Sequence, residues 1–334
     1  MELNKLYYKN ILISILLLMA ASYVYNKFKI NVERDDKIEE LNIIKKYLLQ
    51  EDQALTLQQL SSIKKPIIWI HIEYSKNSRS WLSFGSRNSL ELNQDYLYLT
   101  IRSIINCCSD YFHIVLIDDD SFKILLENWN VDLNKLENPQ KDYMRKLALT
   151  KILYNYGGLL IESSFILFKS LKPIYDKVLK TNKMCVAEFP NRSSNSHSIK
   201  FMPNMSFIGC VKNCPLMHEF CNHLEILISQ DYTNQINVED LINKWLFNNT
   251  QNNNINYIVG IYIGTKTSNN KSIDLEQLLG CSYLDIHEKS YGLYIPKDEL
   301  LKRNAYNWFV YLNSQQVLQS NTNLGKYLLF SNNN

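Results

Sequence analysis

The stretch YNYGGLLIESSFILFKSLKPI, residues 154–174, decides how the rest of the chain is read. Just upstream, KDYMRKLALTKILYNYGG carries Met144, Leu147, Leu149, Ile152, Leu153 and Tyr156 at helical spacing. It stops at Gly157, a residue type that tolerates left-handed backbone at a helix end. LLIESSFIL then resumes as a strand. The stretch therefore reads as a helix end, a tight turn and a strand. That strand delivers Glu162, Ser163 and Ser164 to the carboxyl edge of a sheet, where ligands sit in open α/β folds.

Working outward, IIWIHIEY follows Pro66 as a compact apolar strand, DYLYLTIRSIINCC reads as a helix, and FHIVLI as a second strand closed by Asp118, Asp119, Asp120 and Ser121. Strand, helix, strand is the opening of a parallel sheet. The expected fold class is α/β, a mixed and mainly parallel sheet flanked by helices. The C-terminal third alternates strand-like and helical patterns without a repeat or a second boundary, and completes the same fold. Its Asn-rich stretch FNNTQNNNIN reads as a loose low-complexity loop. The expected organisation is an anchor over 1–29, a helical stalk over 30–62, one domain over 63–330 and a disordered tail over 331–334.

A chain of 334 residues with 46% hydrophobic residues can bury a sizeable core. The formal net charge is +3 and no long basic run occurs, which argues against nucleic acid as a partner. Glycine is scarce at 9 and proline at 7, while Asn, Ile, Lys and Tyr are abundant, the bias of an AT-rich coding sequence. Asn-x-Ser/Thr triplets at Asn191, Asn204, Asn248 and Asn270 arise easily in such a chain and leave glycosylation open. Seven cysteines form no regular framework, so the redox compartment stays open as well.

ILISILLLMAASYVY, Ile11 to Tyr25, is an uncharged apolar run flanked by Lys5 and Lys9 before it and Lys27 and Lys29 after it. As a helix it spans roughly 22 Å against a hydrocarbon core of about 30 Å, a deficit that snorkelling lysines and interfacial tyrosines can cover. The expectation is an uncleaved single-pass anchor in a lipid membrane through residues 11–25, type II with the domain lumenal. A cleaved signal peptide or a buried helix are the alternatives. Residues 30–60 mix charge signs, lack Gly and Pro, and space Leu41, Leu48 and Leu55 by seven. That reads as a stalk, either self-associating through 38–55 or lying as an amphipathic helix on the domain.

The run LTKILYNYGGLLIESSFILFKSLKPI resembles the signature of glycosyltransferases with a GT-A type, Rossmann-like fold, in particular the DXD-containing sugar-transferase and capsular-polysaccharide-synthesis families. Leu153, Tyr154, Tyr156, Gly157, Gly158, Lys172 and Pro173 fit that frame. NMSFIGCVKNCPLMHEF, Asn204 to Phe220, resembles the downstream strand and helix, and the likeness spans about residues 65–225. The departures are as informative. Glu162 and Ser164 stand where the family has its Asp-x-Asp ligands, and Lys146 and Leu149 stand where it has an Asp and an Arg. The resemblance implies a membrane-anchored glycosyltransferase-like protein moving a sugar from a nucleotide-sugar donor to a glycan or glycoprotein acceptor with retention. The alternative is a catalytically inactive descendant acting as a binding or structural membrane protein.

On that resemblance, a divalent cation, Mn²⁺ or Mg²⁺, is expected at Glu162, Ser164 and His287, since such ions take hard oxygen ligands and neutralise a departing diphosphate. Asp118, Asp119, Asp120, Arg145, Lys146, Gly157 and Gly158 are the candidate nucleotide contacts. No catalytic nucleophile or base is assigned. Three adjacent carboxylates can equally form a solvated turn with Asp120 or Ser121 capping the next helix. His287, in DIHEKSYG, can equally be a surface or core histidine. Cys210, Cys214, His218 and Cys221 have the spacing of a compact zinc knot, but buried thiols explain them better. Trp81, in NSRSWLSFGSRN, is the one tryptophan in a polar loop and a candidate sugar platform.

Overall fold

The computed structural model describes residues 2–49, 65–73, 94–192, 196–230 and 238–333, without the side chains of 2–10, 28–34 and 333. Trp81 and Leu55 lie outside the described residues. The chain divides into two units, Met1–Lys46 and Tyr47–Asn334.

The first unit is one helix, α1 (Glu2–Tyr47), which runs without a break through the boundary expected between anchor and stalk. Leu16, Leu17, Leu18 and Met19 are 57, 65, 71 and 63% exposed. Successive residues on a helix point about 100° apart, so four exposed neighbours in a row carry apolar surface round the whole circumference. Among the described residues, no helix is long and apolar enough to cross a membrane.

The second unit is built on a six-stranded sheet of order β2-β1-β3-β6-β5-β7. Its strands are β1 (Ile67–His71), β2 (His113–Ile117), β3 (Gly158–Ile161), β5 (Cys185–Pro190), β6 (Phe201–Cys210) and β7 (Asn256–Ile258). β1 pairs in parallel with β2 and β3, and β5 with β7, while β6 runs antiparallel to both β3 and β5. The expected mixed, mainly parallel sheet is therefore the one found. β4 (Phe165–Leu167) and β8 (Gly292–Tyr294) form a separate antiparallel pair. Every residue of β1 is buried, as an unbroken apolar strand covered on both faces must be.

The helices that flank the sheet include α2 (Tyr96–Cys108), α3 (Ser121–Leu125), α4 (Gln140–Tyr156), α5 (Lys172–Thr181), α6 (Pro215–Ser229) and α7 (Val238–Gln251). One core gathers Trp69, Val115, Leu153 and Leu160 with Met217, Phe220 and Leu246 from α6 and α7. Farther on come α8 (Leu275–Leu279), α9 (Lys297–Lys302), α10 (Ser314–Gln319) and α11 (Asn323–Asn333).

The glycine pair explains itself here. Gly157 closes α4 with φ 71° and ψ −171°, a region open essentially to glycine alone. Gly158 has φ 107°, and a Cβ built on it would stand 2.2 Å from the Ile67 carbonyl oxygen, so β3 lies against β1 only because that side chain is missing. The Trp69 indole donates to the Gly157 carbonyl at 2.9 Å and fixes the turn from the neighbouring strand.

Three expectations are corrected. Leu48 does not sit on a heptad seam: it is 3% exposed and bridges Leu116 at the edge of β2, with the Leu49 amide donating to the Leu116 carbonyl at 3.0 Å. The Asn-rich loop is helix as far as Gln251, because Val238, Ile242 and Leu246, spaced by four, are all buried. The expected tail is helix through Asn333, anchored by Ser331 at 3% exposure.

Candidate functional site

Parallel pairing brings the carboxyl ends of β1, β2 and β3 to one edge: His71 sits opposite Ile117, and Trp69 opposite both Val115 and Leu160. The residues just past these ends are Glu73, Asp119 and Glu162. At that edge opens a cleft of about 750 Å³, within the range of sites that take drug-sized ligands. His71, Glu73, Arg145, Lys146, Glu162 and Ser206 line it, together with Tyr294 and Lys297 from the C-terminal third of the chain.

Glu162 is held by its neighbours. Its amide donates to the Ser206 carbonyl at 3.1 Å, continuing the β3–β6 ladder. Its carboxylate accepts from the Ser206 hydroxyl at 2.5 Å and from the Ser164 hydroxyl at 3.2 Å. Asn204 Oδ1 lies 2.8 Å from the same Ser206 hydroxyl and accepts from the Ser206 amide at 2.7 Å. Backbone bonds fix the two serines: Thr100 Oγ1 donates to the Ser163 carbonyl at 2.5 Å, and the Ile295 amide donates to the Ser164 carbonyl at 3.1 Å. Glu162 faces the cleft while Ser164 is completely buried.

The three aspartates after β2 have three different fates. Asp118 accepts from the Ser121 amide at 2.9 Å and its hydroxyl at 2.7 Å, so it, and not Asp120, closes the turn into α3. Asp120 is exposed and makes no capping bond to α3. Partial burial and the adjacent Asp118 and Asp119 carboxylates push its pKa up, against Lys123. Asp119 accepts two bonds from Arg145, Nε to Oδ1 and Nη2 to Oδ2, each 2.7 Å. His71 Nε2 lies 3.1 Å from its Oδ1 and Lys141 Nζ 3.4 Å from its Oδ2. Burial raises its pKa, but hydrogen bonds from His71 and Arg145 outweigh burial and hold the carboxyl far below the usual range. Arg145 also reaches Glu73 and Asp142, both at 3.3 Å.

Of the other residues expected at the site, Lys146 lines the cleft paired with Glu239. Gly157 and Gly158 stand at the opposite end of β3 from Glu162, roughly 13 Å away at about 3.3 Å per residue, and their work is the turn described above. His287 lies in a loop outside the cleft lining, its Nδ1 accepting from the Lys289 amide at 3.1 Å. Cys210, Cys214 and Cys221 face the core while His218 is exposed, so the four do not converge.

These donors do not fit a resident divalent ion. Among the described residues no three His, Cys, Asp or Glu side chains gather as a metal would need. Glu162 brings one carboxylate, its serine partner Ser164 is sealed behind it, and His287 is elsewhere.

Sequence reasoning missed His71, Glu73, Ser206 and Lys297. His71 and Glu73 were legible in principle, since they end the first strand on the edge that the glycine turn already marked. Ser206 and Lys297 reach the cleft through the antiparallel partner of β3 and through α9, and carry no local signal.

No known protein-family profile matches the chain, and no curated protein matches it. Among solved structures it is similar to the glycosyltransferase GlyE of Streptococcus pneumoniae TIGR4, with 12% identity and a TM-score of 0.35 over 59% of this chain and 46% of that one. It is also similar to the galactosyltransferase LgtC in complex with donor and acceptor sugar analogues, with 12% identity and a TM-score of 0.33 over 59% and 74% of the two chains. A third is the PaToxG glycosyltransferase, with 13% identity and a TM-score of 0.33 over 65% and 80%. The chain thus spans less than half the length of the GlyE structure. What its own geometry establishes is a mixed α/β sheet with a polar cleft at the carboxyl edge of its parallel strands.

Proposed function

We propose that the cleft binds a nucleotide sugar and that the chain is a glycosyltransferase-like protein passing the sugar to a glycan or glycoprotein acceptor. The observation that carries this reading is the placement of Glu162: the stretch around the glycine pair, whose sequence resembles a sugar-transferase signature, brings this carboxylate into the lining of the polar cleft. The cleft is large enough for a nucleotide sugar. Its edge position is where α/β folds take their ligands. Retention is the stereochemistry that the sequence resemblance implies, and the lack of an assigned nucleophile accords with it.

We further propose that the protein associates with a membrane through residues 11–25. Support comes from apolar side chains exposed round the whole of α1 in that stretch, which water solvates poorly and lipid accepts. A second reading, a binding protein without turnover, is favoured by Glu162 being the sole carboxylate left of the expected pair.

The test is the full-length chain in detergent, incubated with UDP- and GDP-sugars with and without Mn²⁺, following nucleotide release beside Glu162→Ala. Release that the substitution removes supports transfer. Binding without release selects the second reading, and neither binding nor release removes both.

A further inference from the structure

The cleft poses a problem of charge. A nucleotide diphosphate brings at least two negative charges, yet the residues present do not form a metal cage. The carboxylates nearest the strand ends are already engaged: Asp119 by Arg145, His71 and Lys141, Glu73 by Arg145, and Glu162 by the hydroxyls of Ser206 and Ser164. Recruiting Asp119 or Glu73 to a divalent ion would mean stripping it from the partly buried Arg145, and the charge left behind is costly, so of these Glu162 alone remains to offer a carboxylate.

The cations differ in how they are used. Arg145 is spent on three carboxylates, Lys146 on Glu239 and Arg192 on Glu299. Lys297 lines the same cleft, is partly buried, and makes no ion pair among the described residues. Burial alone would favour its neutral form. The carboxylates of Glu162, Glu73 and Asp298 outweigh that effect and keep its proton on, with Arg145 opposing. It is a charged group in the cleft lining with no ion pair among the described residues.

Resting on the nucleotide-sugar reading above, we infer that this cleft holds the donor's diphosphate without a divalent ion, the Lys297 ammonium, which lines the cleft together with Glu162, being the cation that meets the phosphates. An ammonium is a compact point charge with three donors on a flexible stem, suited to phosphate oxygens whose positions a metal does not fix. The Glu162 carboxylate, in the same cleft lining, favours the charged form of that ammonium. The Glu-x-Ser sequence is then no damaged metal motif: one carboxylate suffices to balance one ammonium, and the position that a second carboxylate would occupy carries the buried hydroxyl that orients the first.

The experiment is calorimetric titration of the full-length chain in detergent with UDP and with GDP, first in EDTA and then with Mn²⁺, for the native protein, Lys297→Met and Lys297→Arg. At least one nucleotide is expected to bind in EDTA, with Mn²⁺ changing its affinity by less than about threefold. Loss of a charge-assisted contact in Lys297→Met is expected to weaken binding about tenfold to a hundredfold at unchanged melting temperature. Lys297→Arg is expected to retain most of the affinity. Binding that appears only with Mn²⁺ overturns the metal-free proposal and leaves the donor cleft standing. Native-like binding by Lys297→Met in EDTA overturns the role of Lys297. Absence of binding in every condition removes the nucleotide-sugar reading itself, and this inference with it.

Discussion

Arg145 and Asp119 are joined by two parallel hydrogen bonds of 2.7 Å, a fork-to-fork pair between the middle of α4 and the residue beyond β2. The side chains are 13 and 16% exposed, so the pair is shielded more than a surface ion pair and its geometry is of the strong, bidentate kind. His71 at the end of β1 touches the same carboxylate. One aspartate therefore clamps a helix and two strands at the rim of the cleft, and its function is architectural before it is catalytic.

Asp119→Asn removes the charge and one acceptor of that clamp while leaving Arg145 without its partner. A loss of about 2–3 kcal/mol in unfolding free energy is expected, read by urea denaturation. The pH dependence follows from the sign of the shift. The folded-state pKa of Asp119 lies well below its ordinary 3.8, so its contribution is complete above about pH 4 and disappears as pH falls from there. Native protein is expected to lose stability more steeply below pH 4 than Asp119→Asn does. Parallel acid limbs would show that the pair contributes nothing.

Gly158→Ala is expected to be the most damaging single methyl that the fold can receive in this region. The new Cβ meets the Ile67 carbonyl oxygen at 2.2 Å, a backbone atom of the neighbouring strand β1 that cannot swing aside, and the φ of 107° adds strain. The combined cost is at least about 3 kcal/mol. Thermal melting followed by circular dichroism measures it. A variant that melts like native protein would mean that β3 is not packed on β1 as described.

The sequence was most readable where residue type dictates backbone. Gly157 and Gly158 announced a helix end and a turn because few other residues adopt those angles, and the strand they introduce delivered Glu162 to the sheet edge as expected. Reading failed where composition masked spacing. Val238, Ile242 and Leu246 recur every fourth residue, yet the asparagines after Leu246 suggested a loop. Leu48 has the right spacing for a heptad but is drawn to the free edge of β2, a choice that depends on which strand ends the sheet. Ser206 meets Glu162 only through the order of strands, and Lys297 reaches the cleft only through the placement of α9; no local pattern records either.

Cys214 sets burial against acidity. The Cys210 thiol's hydrogen bond, with the amides of Met217 and Leu216 at the start of α6, pushes its thiol down to about 6 despite burial. A thiolate of that kind reacts readily when reached, but Cys214 is 1% exposed. Cys281 is exposed. Timed alkylation of native protein with iodoacetamide at pH 8, followed by peptide mass analysis, is expected to mark Cys281 first and Cys214 only under denaturing conditions. Equal rates would show that the start of α6 opens in the native state.

Ser206→Ala tests whether Glu162 is aimed by its neighbours or merely beside them. The substitution deletes the 2.5 Å bond to Glu162 and leaves β6 intact, since the backbone bond from the Glu162 amide to the Ser206 carbonyl needs no side chain. The melting temperature should therefore stay within about 1 °C of native, less than the roughly 2 °C or more that a 1 kcal/mol change produces in a domain of 150–250 residues. Glu162, held then by the Ser164 hydroxyl alone at 3.2 Å, is free to rotate away from the cleft. Nucleotide-sugar affinity is expected to fall about tenfold, the worth of one hydrogen bond to a charged group. Ser206→Thr keeps the hydroxyl and is expected to recover most of it. If alanine and threonine bind alike, the orientation of Glu162 does not depend on Ser206. If both lose affinity with the melting temperature unchanged, the space beside Ser206 matters more than its hydroxyl.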